Sequence, residues 1–236
     1  MTTLLIATRN AHKTEEIRAI LGEGFRGLTL KEFPGAPPVV EDAGTFGGNA
    51  TKKATELARW LSSASRVSLH PPPDFVLADD SGLEVDALNG APGVHSARFA
   101  ARDAGTPGNS PDAQNNAKLL RLLADVPLER RTARFRCVLA VTPVVLHRLE
   151  SASPVCYADV LETQVELFEG ACEGRIQFAP GGQGGFGYDP LFVPAGFAQS
   201  FAELGENVKN QLSHRAKALM ALKAWFQGLG LSRPGS

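Results

Sequence analysis

The sequence has little of what marks several common classes of protein. Only three of its 236 residues are cysteine, Cys137, Cys156 and Cys172, and no two stand at C-x-x-C spacing. So few and scattered a set excludes a disulfide scaffold or a cysteine-rich zinc site and fits reduced thiols in a cytosol. No stretch approaches the ~18 consecutive apolar residues of a membrane span. The opening MTTLLIATRN has no basic n-region, and its apolar run is only Leu4 to Ala7. Neither a signal peptide nor a membrane span is expected, which leaves a soluble, cytoplasmic protein as the default.

An excess of one charge sign is also missing. Twenty-four Lys plus Arg stand against twenty-five Asp plus Glu, a net charge of −1. Gripping nucleic acid by counterion release needs a basic face, so a nucleic-acid-binding role is disfavoured. A bound polyanion would be small and met by a few placed cations. A hydrophobic fraction of 43% with 21% charged residues excludes disorder. The Walker A, G-x-S-x-G and H-E-x-x-H motifs are absent, and GGQGGFGYDP has no following βα entry to make it a dinucleotide fingerprint. No repeat, low-complexity tract or obvious linker appears. Length alone suggests one large domain or two small lobes.

What remains reads as alternating strands and helices. Leu4 to Thr8 is a short buried strand. A helix follows over about Lys13 to Leu21, with Gly22 as its stop. Leu28 to Phe33 alternates like a strand, and Gly48 to Ser62 carries Ala50, Ala54, Leu57, Ala58 and Leu61 at helical spacing, with Asn49, Lys53 and Glu56 on the opposite stripe. Residues 62–74 look like a surface insertion. Phe75 to Ala78 and Glu84 to Leu88 read as strands, Asn89-Gly90 as a tight turn, and Asn115 to Ala124 as a helix. Period-two alternation over 131–141 puts Ala133, Phe135, Cys137 and Leu139 on one face and Arg134 and Arg136 on the other. Val160 to Phe168 and Gly174 to Phe178 suggest two further strands, and a last helix follows Ser213, its N-cap. The class is α/β with a mixed sheet.

The chemistry-bearing residues fall at the joints. DDSGLEVD, residues 79–86, packs four carboxylates into eight positions. Asp79 and Asp80 point to opposite sides of an extended chain, so one serves a pocket and the other could tie down a following turn; an ordinary Asx turn is the simpler reading. Glu41 alone is a surface carboxylate, but with Asp80 it would offer the oxygen ligands that Mg²⁺ takes alongside substrate phosphates. Thr8, Asn10 and Lys13 lead from a strand into a helix, a geometry suited to phosphate capture. Phe186 and Tyr188 serve equally as core aromatics or as a stacking surface for a base.

Five blocks, LLIATRNAHKTEEIRAIL, TFGGNATKKA, LADDSGLEVDALNGAPGVHSARFA, GGFGYDPLF and SHRAKAL, occur in that order across nearly the whole chain. Together they resemble the inosine triphosphate pyrophosphatase family, the RdgB-type XTP/dITP diphosphatases. The resemblance implies an elongated central mixed sheet flanked by helices, one domain of two lobes over residues 1–236 with the active-site cleft between them, and a homodimer. It implies Mg²⁺-dependent hydrolysis of ITP, dITP and XTP to monophosphate and pyrophosphate, cleansing the nucleotide pool. Carried onto matching positions, the segment Thr8, Arg9, Asn10, Ala11, His12 and Lys13 binds the triphosphate with Lys53. Glu41 and Asp80 hold the metal, Asp80 doubling as general base. Ser81 touches substrate, Phe186, Gly187, Tyr188 and Asp189 line the base and sugar site, and Lys209, His214 and Arg215 contact the base.

Three departures stand out. Arg9 takes the place of the glycine in the family's T-G-N loop, Gly44 is displaced by one in the segment EDAGTF, and the stretches 62–74 and 145–158 are longer than usual. The nearest alternative is a Maf-type pyrophosphatase of modified pyrimidine nucleotides, against which the SHR block and DDSGLEVDALNGAPG argue. The more distant alternative is a catalytically silent nucleotide- or RNA-binding protein.

Overall fold

The computed structural model describes residues 1–62, 73–103, 105–144 and 164–231. It is an α/β structure built on one six-stranded mixed sheet of order β2-β1-β3-β4-β5-β6. The strands are β1 (Thr2–Ile6), β2 (Phe25–Thr29), β3 (Phe75–Val85), β4 (Thr132–Pro143), β5 (Glu166–Ile176) and β6 (Phe192–Pro194). The long helices are α1 (Ala11–Leu21), α2 (Phe46–Ser62), α3 (Asp112–Leu122), α4 (Phe201–Leu212) and α5 (His214–Gly228). The chain divides into two compact units. The first comprises residues 1–79, 139–168 and 223–236, and the second comprises 80–138 and 169–222.

In the first unit β1 lies parallel to both β2 and β3, with Thr2 opposite Phe25 and Leu4 opposite Phe75. Parallel neighbours need crossovers, and α1 and α2 supply them. Leu4, Leu5 and Ile6 have no exposed surface, as a strand covered on both faces requires. Gly22 ends α1 at φ +69°, returning its N–H to the Arg18 carbonyl. The alanine-rich stripe of α2 packs Ala50, Ala54, Leu57, Ala58 and Leu61 against Leu5, Leu28, Val76 and Ala78.

The strand expected over Leu28 to Phe33 lies instead at Phe25–Thr29. Pairing with β1 sets the register, and the chain turns at Leu30 as Glu32 accepts the Thr29 amide at 2.6 Å. Leu30 and Phe33 still pack on the core, but from a turn. Asn49 and Lys53 also depart from the expected polar stripe, since both are buried on α2.

In the second unit Leu83, Val85, Leu119, Ala133, Phe135, Ile176, Phe192 and Phe201 form the core. The Phe135 and Phe192 rings lie 4.7 Å apart, centroid to centroid. The other face of β4 carries Arg134 and Arg136. Arg134 pairs with Asp86 at 2.9 Å and Glu173 at 3.1 Å, and Arg136 pairs with Glu169 at 2.9 Å. The Thr132 hydroxyl, and then Arg134, hold the Asp86 carboxyl below its ordinary range.

The two strands expected at Val160 to Phe168 and Gly174 to Phe178 are one, β5. Its glycines are contact points. A Cβ on Gly170 would stand 2.1 Å from the His214 carbonyl oxygen, and one on Gly174 would stand 2.4 Å from that of Val193. Residues 160–163, Cys156, and most of the long stretches at 62–74 and 145–158 lie outside the described residues. The 89–90 turn forms as expected, with Asn89 at φ +52° and Gly90 at φ +84°.

Candidate active site

Each unit gathers its own set of the sequence-predicted residues. In the first unit β1 hands the chain to α1 through Thr8 and Asn10. Thr8 Oγ1 accepts the Asn10 amide at 3.1 Å, and Asn10 Oδ1 accepts the Lys13 amide at 3.1 Å, capping α1. The capped first turn presents the Lys13 ammonium to the carboxylate of Asp79, with which it forms an ion pair. From α2, Lys53 Nζ donates to the Asp79 carbonyl at 2.6 Å and reaches Glu41 Oε1 at 3.3 Å. Asn49, one turn earlier, accepts the Ala43 amide at 2.9 Å and so fixes the segment that carries Glu41.

Lys13–Asp79 and Lys53–Glu41 are therefore two ion pairs linked through the Asp79 carbonyl. Two ammonium groups face two carboxylates, so the set is close to neutral. Arg9, Ala11 and His12 are exposed, and Arg9 Nη2 donates to the Ala36 carbonyl at 3.3 Å.

No Asx turn follows the acidic pair. Asp79 and Asp80 are both buried and lie inside the unbroken β3. Lys53 holds the Asp79 carbonyl and Lys13 its side chain, so no turn is needed. Sequence reasoning offered the aspartate outside the pocket only the N–H groups of a following turn. The role of Asp79 in ordering Lys13 and Lys53 emerges only from the fold.

In the second unit, which Asp80 begins, Ser81 Oγ accepts from Arg215 Nη2 at 2.9 Å. Arg215 and His214 open α5 behind Ser213, whose hydroxyl accepts the Ala216 amide at 3.2 Å as the expected N-cap. Both are buried, and the His214 ring stacks on Phe135 at 4.9 Å. The glycine-rich loop then supplies its own cluster. Asp189 Oδ2 accepts the Phe186 amide at 2.9 Å and pairs with Lys209 Nζ at 2.5 Å, and that ammonium stands 4.3 Å from the Phe186 ring centroid. Gly185 at φ +73° is obligatory, because a Cβ there would sit 2.3 Å from Asp189 Oδ2.

The two aromatics separate cleanly. Tyr188 is a core residue whose hydroxyl donates to the Ser96 carbonyl at 2.9 Å, and burial pushes its pKa well above the ordinary phenol range. Phe186 is half-buried beneath Lys209. Lys209 comes from α4, an element that periodicity did not reveal. Gly205, at φ +78° in its middle, interrupts the helical pattern.

The Ham1 family model matches residues 4–225. The chain belongs to the Ham1 family. Among its members, the dITP/XTP pyrophosphatase of Opitutus terrae is 44% identical over 94% of this chain and 97% of its own length. That of Rhodopirellula baltica is 46% identical, covering 93% of this chain and 90% of its own. A HAM1 protein structure from Coxiella burnetii superposes with a TM-score of 0.73 at 31% identity, covering 97% of this chain and all of that one.

Among the described residues no cluster of three or more His, Cys, Asp or Glu side chains could hold a metal ion unaided. Nor is any helix there long and apolar enough to cross a membrane.

Proposed function

We propose that this Ham1-family protein hydrolyses non-standard purine nucleoside triphosphates, ITP, dITP and XTP, to the monophosphate and pyrophosphate. The observation that carries the reading is the linked set of ion pairs Lys13–Asp79 and Lys53–Glu41, joined at β3 to Asp80. It lies in a sequence 44% identical to a dITP/XTP pyrophosphatase over nearly its full length.

Lys13 and Lys53 are the residues for the triphosphate oxygens, with the Thr8–Lys13 segment offering backbone and side-chain donors beside them. Because both lysines are balanced by carboxylates, a triphosphate needs further positive charge. Glu41 and Asp80 are the proposed ligands of Mg²⁺, whose hard-cation chemistry suits carboxylate oxygens completed by substrate phosphates. When bound, that ion neutralises phosphate charge as a Lewis acid. Asp80 orients a water and takes its proton as the water oxygen bonds to the α-phosphorus and the bond to the pyrophosphate oxygen breaks. Ser81, Phe186, Gly187, Tyr188, Asp189, Lys209, His214 and Arg215 are the proposed base and sugar residues. A donor such as Arg215 suits the six-position carbonyl of hypoxanthine or xanthine and clashes with the amino group of adenine.

On this reading the enzyme works as a cytoplasmic homodimer.

The test is product analysis with Mg²⁺ and ITP, dITP, XTP, ATP and modified pyrimidine triphosphates. Monophosphate plus pyrophosphate from the first three supports the reading, whereas orthophosphate, or preference for a pyrimidine, removes it. Asp80→Asn is expected to lower kcat by about 10²–10⁴-fold with the fold intact. Pyrophosphate release at the wild-type rate by the folded variant would exclude Asp80 from the reaction.

A further inference from the structure

Helix α3 carries a pair of polar residues for which the chemistry above has no use. Asp112 and Asn116 are one turn apart, at i and i+4, and so project from one face. The Gly187 amide donates to Asp112 Oδ2 at 2.7 Å, and Asn116 Nδ2 donates to the Gly187 carbonyl at 3.0 Å. Both backbone polar groups of a single residue are thus held by one helix face. Gly187 sits at φ +62°, a conformation open to glycine and awkward for other residues.

Asn116 is itself informative. Its side chain is buried, and its Oδ1 has no hydrogen-bond partner among the described residues. Burying an unmatched carbonyl oxygen destabilises a fold, and leucine, of similar size, would avoid it. The carboxamide is therefore a poor choice for packing, and what it gains is the bond from Nδ2 to Gly187. Its neighbours on α3 face other work. Asn115 Oδ1 accepts the Ala100 amide at 2.8 Å, and Lys118 Nζ donates to the Phe99 carbonyl at 2.6 Å.

The clamped residue lies between the two side chains that define the loop. Phe186, on one side, is tied by its amide to Asp189 and covered by Lys209. Tyr188, on the other, is anchored in the core through Ser96. Freeing the Gly187 peptide would release the residue that joins Phe186 to the anchored Tyr188.

We propose that Asp112 and Asn116 are positioning residues for base recognition. They hold Gly187 so that the Phe186 ring and the Lys209–Asp189 pair are arranged before the purine arrives, which spares the ordering entropy of the loop on binding. The inference rests on the reading of Phe186 to Asp189 as the base and sugar segment.

The experiment uses the full-length protein and compares Asn116→Leu, Asp112→Ala, Asp112→Asn and Phe186→Ala. Asn116→Leu is expected to keep or raise the melting temperature. It should raise KM for ITP about tenfold, the scale of one lost hydrogen bond, with kcat within about threefold, and it should narrow the preference for ITP over ATP. Asp112→Ala should do the same and speed amide hydrogen exchange across residues 184–188. Asp112→Asn keeps an acceptor oxygen in place and should recover KM to within about twofold of wild type.

A packing role alone would lower the melting temperature without moving KM or base preference. Unchanged KM and preference in Asn116→Leu and Asp112→Ala, beside a raised KM in Phe186→Ala, would overturn the clamp while leaving the base site standing. Unchanged KM and preference in Phe186→Ala would overturn the base-site reading and the clamp with it. If Asp112→Ala does not fold, Asn116→Leu and its hydrogen exchange decide the matter.

Discussion

Asp189 and Lys209 form an ion pair with almost no water around it, their side chains being 2% and 4% exposed. Such a pair adds little net stability over an apolar one, but breaking it strands a charge. Asp189→Asn should therefore lower stability by about 3–5 kcal/mol, the usual cost of an orphaned buried charge. Asp189→Leu combined with Lys209→Met should regain most of that loss in chemical denaturation while leaving ITP selectivity impaired. Recovery of selectivity by the apolar pair would show that the two charges serve the fold alone.

His95 behaves differently. Burial, then Arg102 and Arg98, lower its pKa below the ordinary imidazole value. The folded state thus binds a proton less readily than the unfolded chain, whose histidines titrate near about 6.5. Its contribution is complete above that pH and is lost as pH falls through about 6.5 toward the lower folded value. Melting temperature should hold steady above about pH 7 and decline below about 6.5, and His95→Gln should flatten part of that decline. An identical pH profile in the variant would dismiss His95 as a source of acid sensitivity.

At the scale of elements, Gly170 lets β5 come close to the first turn of α5. A methyl group there would meet the His214 carbonyl oxygen at 2.1 Å and the Ala218 amide nitrogen at 2.7 Å. Gly170→Ala must displace the opening turn of α5, which carries His214 and Arg215. It should destabilise by about 1–3 kcal/mol, the range for overpacking, and narrow the preference for ITP over ATP. Denaturation and the ITP-to-ATP ratio of kcat/KM check both halves.

Gly170 also illustrates what the sequence could and could not disclose. Elements with one clean period were readable. Leu4 to Ile6 is the heart of β1, the alanine stripe marks α2, and the alternation from Ala133 to Leu139 is β4. Elements interrupted by glycine were not. Gly170 fell in the gap left between the two strands expected where β5 runs, and Gly205 hid α4, because a residue chosen for close approach or for positive φ looks locally like a stop. The site followed the same rule. Lys13, Lys53 and Asp80 stand in family motifs, whereas Asp79's bond to Lys13 joins residues 66 positions apart and has no local signature.

For the whole molecule, the opposing charges nearly cancel, and the local charges are matched at close range. Lys13, Lys53, Lys118, Lys209 and Arg134 are each engaged with a carboxylate. A chain with 24 cations and 25 anions has no surplus with which to displace counterions along a polymer. Fluorescence anisotropy with a labelled single-stranded RNA at low salt should give no binding tighter than about 10⁻⁴ M, the weak end of non-specific association. Tight, salt-sensitive binding would reopen the polymer-binding alternative.

β3 carries Asp79 and Asp80 on adjacent residues of one continuous pleat, with Val76 and Ala78 packed in the first unit's core and Leu83 and Val85 in the second's. Because successive side chains alternate in direction, inserting a single amino acid after Asp79 would rotate everything downstream by half a period. Leu83 and Val85 would leave their hydrophobic surroundings, and Asp80 would exchange sides with its neighbour. This segment should therefore withstand many exchanges of side chain but no odd-numbered change in its length.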